Sequence, residues 1–216
     1  MDEKPTGYPV SLSIEYPDRP LDKVTTFFRL FTAIPIIIIA SLVGGGTFQW
    51  TMASETATET TYQLGMAGGI VTFALILVIL FQQKYPRWWF DWNVALTKFL
   101  YRVVTYVSLM TDQYPSTDEE QSVSIKIDYP DVKEDLDRAL PLFKWLLALP
   151  HYIILAFLSV AAFVCVVMAW FVILFTGRYP RGLFNFVAGV MRWGLRVEAY
   201  AFLLVTDVYP PFSLEP

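Results

Sequence analysis

Val10-Ser11-Leu12-Ser13-Ile14-Glu15-Tyr16 alternates apolar and polar residues and is stopped by Pro17-Asp18. Val123-Ser124-Ile125-Lys126-Ile127-Asp128-Tyr129 repeats the alternation and meets Pro130-Asp131. Period two is the signature of a half-buried strand, so the chain should carry two matching short strands. One exposed strand is marginal alone. Each of these is expected to satisfy the other's backbone edge. Residues Met1 to Gly7, before the first, read as a loose polar end.

Between the strands the pattern changes to long apolar runs. Leu21 to Val43 reads as a helix with Asp22, Lys23 and Arg29 at its start and Pro35 inside it. The second copy places Lys144, Ala148 and Pro150 where the first has Arg29, Ala33 and Pro35. A proline is tolerated in a membrane helix and kinks it. Gly44-Gly45-Gly46 ends the first run; a Thr-rich stretch to about Gln63 carries Glu55 and Glu59 but no Lys or Arg, and a second run covers about Leu64 to Phe81. The second copy lacks that stretch: Trp145 to Phe175 is almost wholly apolar. One straight helix there would extend ~46 Å, against a hydrocarbon core of ~30 Å. A tight hairpin near Ser159 gives two short spans instead, and the two runs of the first copy favour it.

A third pattern follows each run. Tyr85-Pro86-Arg87-Trp88-Trp89-Phe90-Asp91-Trp92 leads to Thr111-Asp112-Gln113-Tyr114-Pro115, and Tyr179-Pro180-Arg181-Gly182-Leu183-Phe184-Asn185-Phe186 leads to Thr206-Asp207-Val208-Tyr209-Pro210. Asp91, Lys98, Arg102 and Tyr106 fall on one helical face, as do Asn185, Arg192, Arg196 and Tyr200. Trp and Phe fill the rest. A narrow cationic stripe opposite aromatic residues describes a helix lying in the membrane interface; a third span per half, with snorkelling or paired cations, is the other reading.

Composition agrees with a membrane protein. Of 216 residues 55% are hydrophobic and 17% charged, well below the ~25% charged of soluble domains. Lys and Arg avoid the stretch from Gly46 to Gln63 and cluster elsewhere, so hairpins in both halves would put every cation on the cytoplasmic side. The expected fold is therefore an all-α membrane protein of two parallel repeats, 1–116 and 117–216. Each repeat holds a transmembrane helical hairpin, an interfacial amphipathic helix and a short cytoplasmic β-strand. Halves of the same orientation are related by an axis along the membrane normal. That axis reverses in-plane directions, so the strands should pair antiparallel. The expected location is the inner (cytoplasmic) membrane, multi-pass, with both termini cytoplasmic. The N-terminus lacks the pattern of a signal peptide.

Candidate chemistry is sparse. One cysteine, Cys165, and one histidine, His151, cannot build a metal cage or a nucleophile and base, so no metal, no cofactor and no catalytic set is expected. Without a basic tail nucleic acid is excluded. Lys98, Arg102, Arg192 and Arg196 are the candidates for lipid-headgroup contact, because near an anionic leaflet each cation is worth ~1 kcal/mol. Asp112 and Asp207 are candidates for polar pairing, with Arg102 or Arg196, or for capping the turn forced by the following prolines. His151 is a proton-relay candidate by its place in an apolar run. The recurring Tyr-Pro steps mark places where the chain leaves the bilayer.

The Tyr-Pro-Arg-Gly-Leu-Phe-Asn-Phe run, with Arg192-Trp193, Arg196-Val197, Ala199-Tyr200 and Thr206-Asp207-Val208-Tyr209-Pro210-Pro211-Phe212, resembles the bacterial family known as domain of unknown function 4389. The likeness is close from Asp128 to Leu214. The first half is similar as a diverged copy, with Trp88-Trp89 in place of Gly-Leu and Ser116 in place of a second proline. The resemblance implies a prokaryotic membrane protein and supplies no activity or substrate. The function expected is a non-enzymatic membrane scaffold or accessory subunit that docks a partner protein at the cytoplasmic face, in contact with anionic lipids. The alternative is a transporter or lipid-handling protein using the groove between the repeats.

Overall fold

In a computed structural model, residues 8–43, 48–52, 60–64, 68–117, 119 and 121–215 are described, with side chains outside 44–74. The loose N-terminal end, the glycines at 44–46 and the centre of the Thr-rich loop lie outside the described residues. The chain is mostly helical. Strand β1 (Val10–Ile14) is followed by helices α1 (Lys23–Phe27) and α2 (Arg29–Val43), then β2 (Phe48–Met52) and β3 (Thr60–Leu64). Next come α3 (Gly68–Gln82), α4 (Arg87–Val107), β4 (Val123–Ile127), a 3-10 turn at Leu140–Leu142, α5 (Lys144–Leu147), α6 (Leu149–Thr176) and α7 (Arg181–Ala201).

The two alternating segments do pair. β1 and β4 run antiparallel with Val10 opposite Ile127 and Ile14 opposite Val123. Val10, Leu12, Ile14, Val123 and Ile125 face the core, while Ser11, Ser13, Ser124 and Lys126 face out. Side-chain period two thus gives one apolar face, and that face rests on helices. β1 packs on α7 and β4 on α4. Each strand therefore lies on the amphipathic helix of the opposite half.

The hairpin expected near Ser159 is not formed. α6 runs unbroken from Leu149 to Thr176, because nothing after Pro150 interrupts helix geometry, and Pro150 lies in the first turn where its missing N–H costs little. Gly177 closes the helix in the left-handed region at φ 72, its N–H donating to the Ile173 carbonyl. Among the described residues α6 is the one helix long and apolar enough to cross a membrane. In the first half, α2 packs on α1 and α4, and α3 on the turn at Leu140–Leu142; α2 and α3 do not pack along each other as a hairpin. Matched residues explain this. Arg29 corresponds to Lys144, and Gln83, at φ 47, corresponds to Gly177. α2 and α3 thus correspond to the two ends of α6, with the β2–β3 hairpin inserted where α6 continues. The helix expected from Leu21 to Val43 is also divided, at Phe28, into α1 and α2.

α6 and α7 are antiparallel neighbours joined by the turn at Gly177. His151 near the start of α6 meets Trp193, Lys144 just before it meets the Tyr200 ring, and Tyr179 after its end is buried in the core. β1 covers the other side of α7 and runs antiparallel to it. Tyr8 reaches the carbonyls of Arg196 and Val208, and Tyr16 reaches that of Tyr179. Strand, amphipathic helix and apolar helix are stacked in that order. The outer surface of α6 is exposed and largely apolar, with Ile153, Phe157, Val160, Phe171 and Phe175, and Leu30, Phe31, Ile34 and Ile38 of α2 are exposed as well.

Candidate functional site

The polar residues buried between these layers repeat across the two halves. Asp22 caps α1, its carboxylate accepting from the Val24 and Thr25 N–H groups. Its own backbone N–H donates to Asp112 Oδ2 at 2.8 Å. In the second half the Asp137 N–H donates to Asp207 Oδ2 at 2.6 Å, and Asp137 accepts from the Ala139 N–H. Each aspartate so held faces a buried cation. Arg29, 2% exposed, donates through Nη2 to Asp112 Oδ1. Lys144, 0% exposed, forms an ion pair with Asp207 Oδ1 at 2.7 Å and donates to the Thr206 carbonyl at 2.8 Å. A tyrosine ring backs each cation: Tyr106 lies 4.2 Å from the Arg29 guanidinium and Tyr200 5.3 Å from the Lys144 ammonium. Burial pulls Lys144 below the ordinary lysine value, against the Asp207 carboxylate that holds it up. Asp112 and Asp207 thus meet Arg29 and Lys144, where the sequence suggested Arg102 or Arg196. The signal was present in the matched cations Arg29 and Lys144, both set at the edge of apolar runs.

Three cations of the amphipathic helices turn inward onto the chain's own carbonyls. Arg102 donates to Ser116 at 2.6 Å, Arg192 through Nε to Leu12 at 3.2 Å, and Arg196 to Ser213 at 3.3 Å and to Glu215. Arg192 therefore fastens β1, and Arg196, 5% exposed, fastens the C-terminal segment. Burial lowers both from the ordinary arginine value. Lys98 is half-buried on α4. Tyr101 of α4 interacts with Glu198 of α7, whose carboxyl is pushed up by burial against the lowering effect of Tyr101. His151 accepts from Trp193 Nε1 at 3.0 Å through Nδ1 and stacks on Phe212 at 4.0 Å. Its acceptor nitrogen is therefore taken up within an aromatic cage.

The halves are clasped by a second repeated set. The Tyr16 hydroxyl donates to the Tyr179 carbonyl and the Tyr129 hydroxyl to the Tyr85 carbonyl, each at 2.5 Å. Arg181 covers the Tyr16 ring at 4.8 Å, and Arg87 covers Tyr129 at 4.6 Å. Phe184 and Phe90 meet those tyrosines edge-on at 5.1 and 5.0 Å. The Tyr-Pro-Arg turn of each half is thus gripped by the strand end of the other. Below, at the seam of the halves, an apolar groove of about 530 Å³ runs between α2, α4, α6 and α7, with Arg29 on its wall. Among the described residues no group of three or more His, Cys, Asp or Glu gathers to hold a metal.

No curated protein and no solved structure matches this chain. The family profile of the domain of unknown function DUF4389 matches residues 61–117 and 139–213, more than half of the sequence and one segment in each half. With its ion pairs, tyrosine clasps and left-handed helix ends repeated in register, the chain belongs to the DUF4389 family and carries two tandem copies of that domain.

Proposed function

We propose that this protein is a non-enzymatic scaffold, embedded in the membrane by its apolar helix layer and offering its β1–β4 layer to a partner protein. The observation that carries the reading is the separation of surfaces. The outer faces of α2 and α6 are apolar and uncovered, while the opposite surface is a polar two-stranded sheet. An apolar surface this extensive points to lipid. A sheet of two strands keeps an outer edge on each, which suits recognition by strand addition. Tyr8 and Tyr16 of one strand reach the chain beyond the two ends of α7, which lies along α6. This favours seating in a single leaflet, with α6 lying beneath the interface, and keeps the cations on the cytoplasmic side.

Single cysteines at Phe143 and Arg178, before and after α6, test the seating in a Cys165→Ser background. Both should react with an impermeant thiol reagent from the same side of sealed inner-membrane vesicles. Reaction from opposite sides would make α6 a spanning helix. A photo-crosslinker at Ser13 or Lys126 should give a discrete protein adduct in cells, and one at Phe157 should give only lipid. Absence of any protein adduct from the sheet positions removes the scaffold reading.

A further inference from the structure

The internal repeat supplies its own control for the groove at the seam. Lys144 and Arg29 occupy the same place in the two halves, and both are buried against an aspartate. The single nitrogen of Lys144 meets both Asp207 and the Thr206 carbonyl. Arg29 has a larger donor set, and only Nη2 finds an acceptor; Nε and Nη1 are buried with none. Buried donors of a charged group without partners are costly, and native folds rarely keep them idle. The side chain that carries them lines the groove, whose other walls include Leu30, Val104, Val107, Phe163 and Val190. Its volume of about 530 Å³ falls within the ~300–1,000 Å³ of ligand sites. A long aliphatic chain with an oxygen acceptor at one end matches both features.

We propose that this groove is a binding site for a membrane phospholipid, one acyl chain lying between α4 and α6 and an ester or phosphate oxygen accepting from Arg29. Phospholipid is the occupant because the groove is continuous with the uncovered apolar faces of α2 and α6. The site does not depend on the scaffold reading, since it needs no partner protein.

Arg29→Lys is the decisive variant. It copies the second half, keeps a cation for Asp112 and removes the surplus donors. Ser159→Trp fills the groove from α6, and Phe157→Trp, on the outward face, is the control. Purified in mild detergent with palmitoyl-oleoyl-phosphatidylglycerol, the unaltered protein and Phe157→Trp should each retain one lipid by native mass spectrometry. Ser159→Trp should retain none. Arg29→Lys should bind at least about ten-fold more weakly, the loss expected for hydrogen bonds to a charged group, while unfolding at the same temperature or higher without lipid. Equal retention by all four proteins means surrounding lipid only and overturns the proposal. Displacement of the phospholipid by equimolar oleate would overturn the assignment of the occupant to phospholipid.

Discussion

Tyr16, at the end of the first strand, donates its hydroxyl to the backbone carbonyl of Tyr179 at 2.5 Å, across 163 residues of chain. Tyr129 does the same to Tyr85 in the opposite sense. Tyr16→Phe and Tyr129→Phe should each cost about 1 kcal/mol, the usual net worth of an intramolecular hydrogen bond. The sites share no partner, so the double variant should lose the sum. Thermal unfolding of the three purified variants measures it. A double variant no worse than either single one would mean that the clasps act as one unit.

The exchange of strands between halves predicts that the covalent link between them is dispensable. Fragments 1–116 and 117–216, co-expressed, should assemble and co-purify, because β1 belongs on α7 and β4 on α4. Either fragment alone should aggregate or be degraded. A stable, folded 117–216 fragment without its partner would contradict the exchange.

Lys144 is fully buried and held by Asp207. Asp207→Ala strands the ammonium and should cost ~3–5 kcal/mol, as for other broken buried pairs. Lys144→Met combined with Asp207→Asn removes the charge together with its partner and should recover much of that loss. Denaturation of the single and double variants checks it; a double variant as unstable as Asp207→Ala would show that the stranded ammonium is not the source of the loss.

Glu198 gives a pH dependence of defined sign. Its carboxyl is raised in the folded chain, chiefly by burial, so the folded state binds the proton more tightly than the unfolded one. Stability from this group is complete below the ordinary glutamate value and is lost as pH rises through the raised one. Glu198→Gln keeps an acceptor for Tyr101 and removes the titration. It should unfold at a higher temperature than the parent at neutral pH and at a similar one in acid. An unchanged pH profile would remove Glu198 as the cause.

Much of this was legible in the sequence where a local period decided it. The strands could be read because Val10 to Tyr16 and Val123 to Tyr129 alternate strictly, and their antiparallel pairing followed from the direction of the repeats. The amphipathic helices could be read from the spacing of Lys98, Arg102 and Tyr106. The path of the apolar runs could not. Hydropathy treats two short runs as two helices whether they turn back or are one helix path cut by an insertion, and only the continuous α6 separates these. The partners of Asp112 and Asp207 were hidden for a related reason. Arg102 and Arg196 are nearer in sequence, but the turns at Leu109 and Leu204, with φ 63 and 57, redirect the chain so that each aspartate meets the far end of its own half.

The order in which the chain leaves the ribosome follows from the strand exchange. β1 emerges first, yet its pairing partner β4 is more than a hundred residues downstream, and the helix that covers it, α7, comes nearly last. Contacts so distant in sequence delay closure of the native core. The first half must therefore wait, its apolar helices and its strand uncovered, until the second half has been made. A chaperone or insertase that shields that strand during translation would govern the yield of folded protein, whereas substitutions that stabilise only the finished core would leave that waiting interval unchanged.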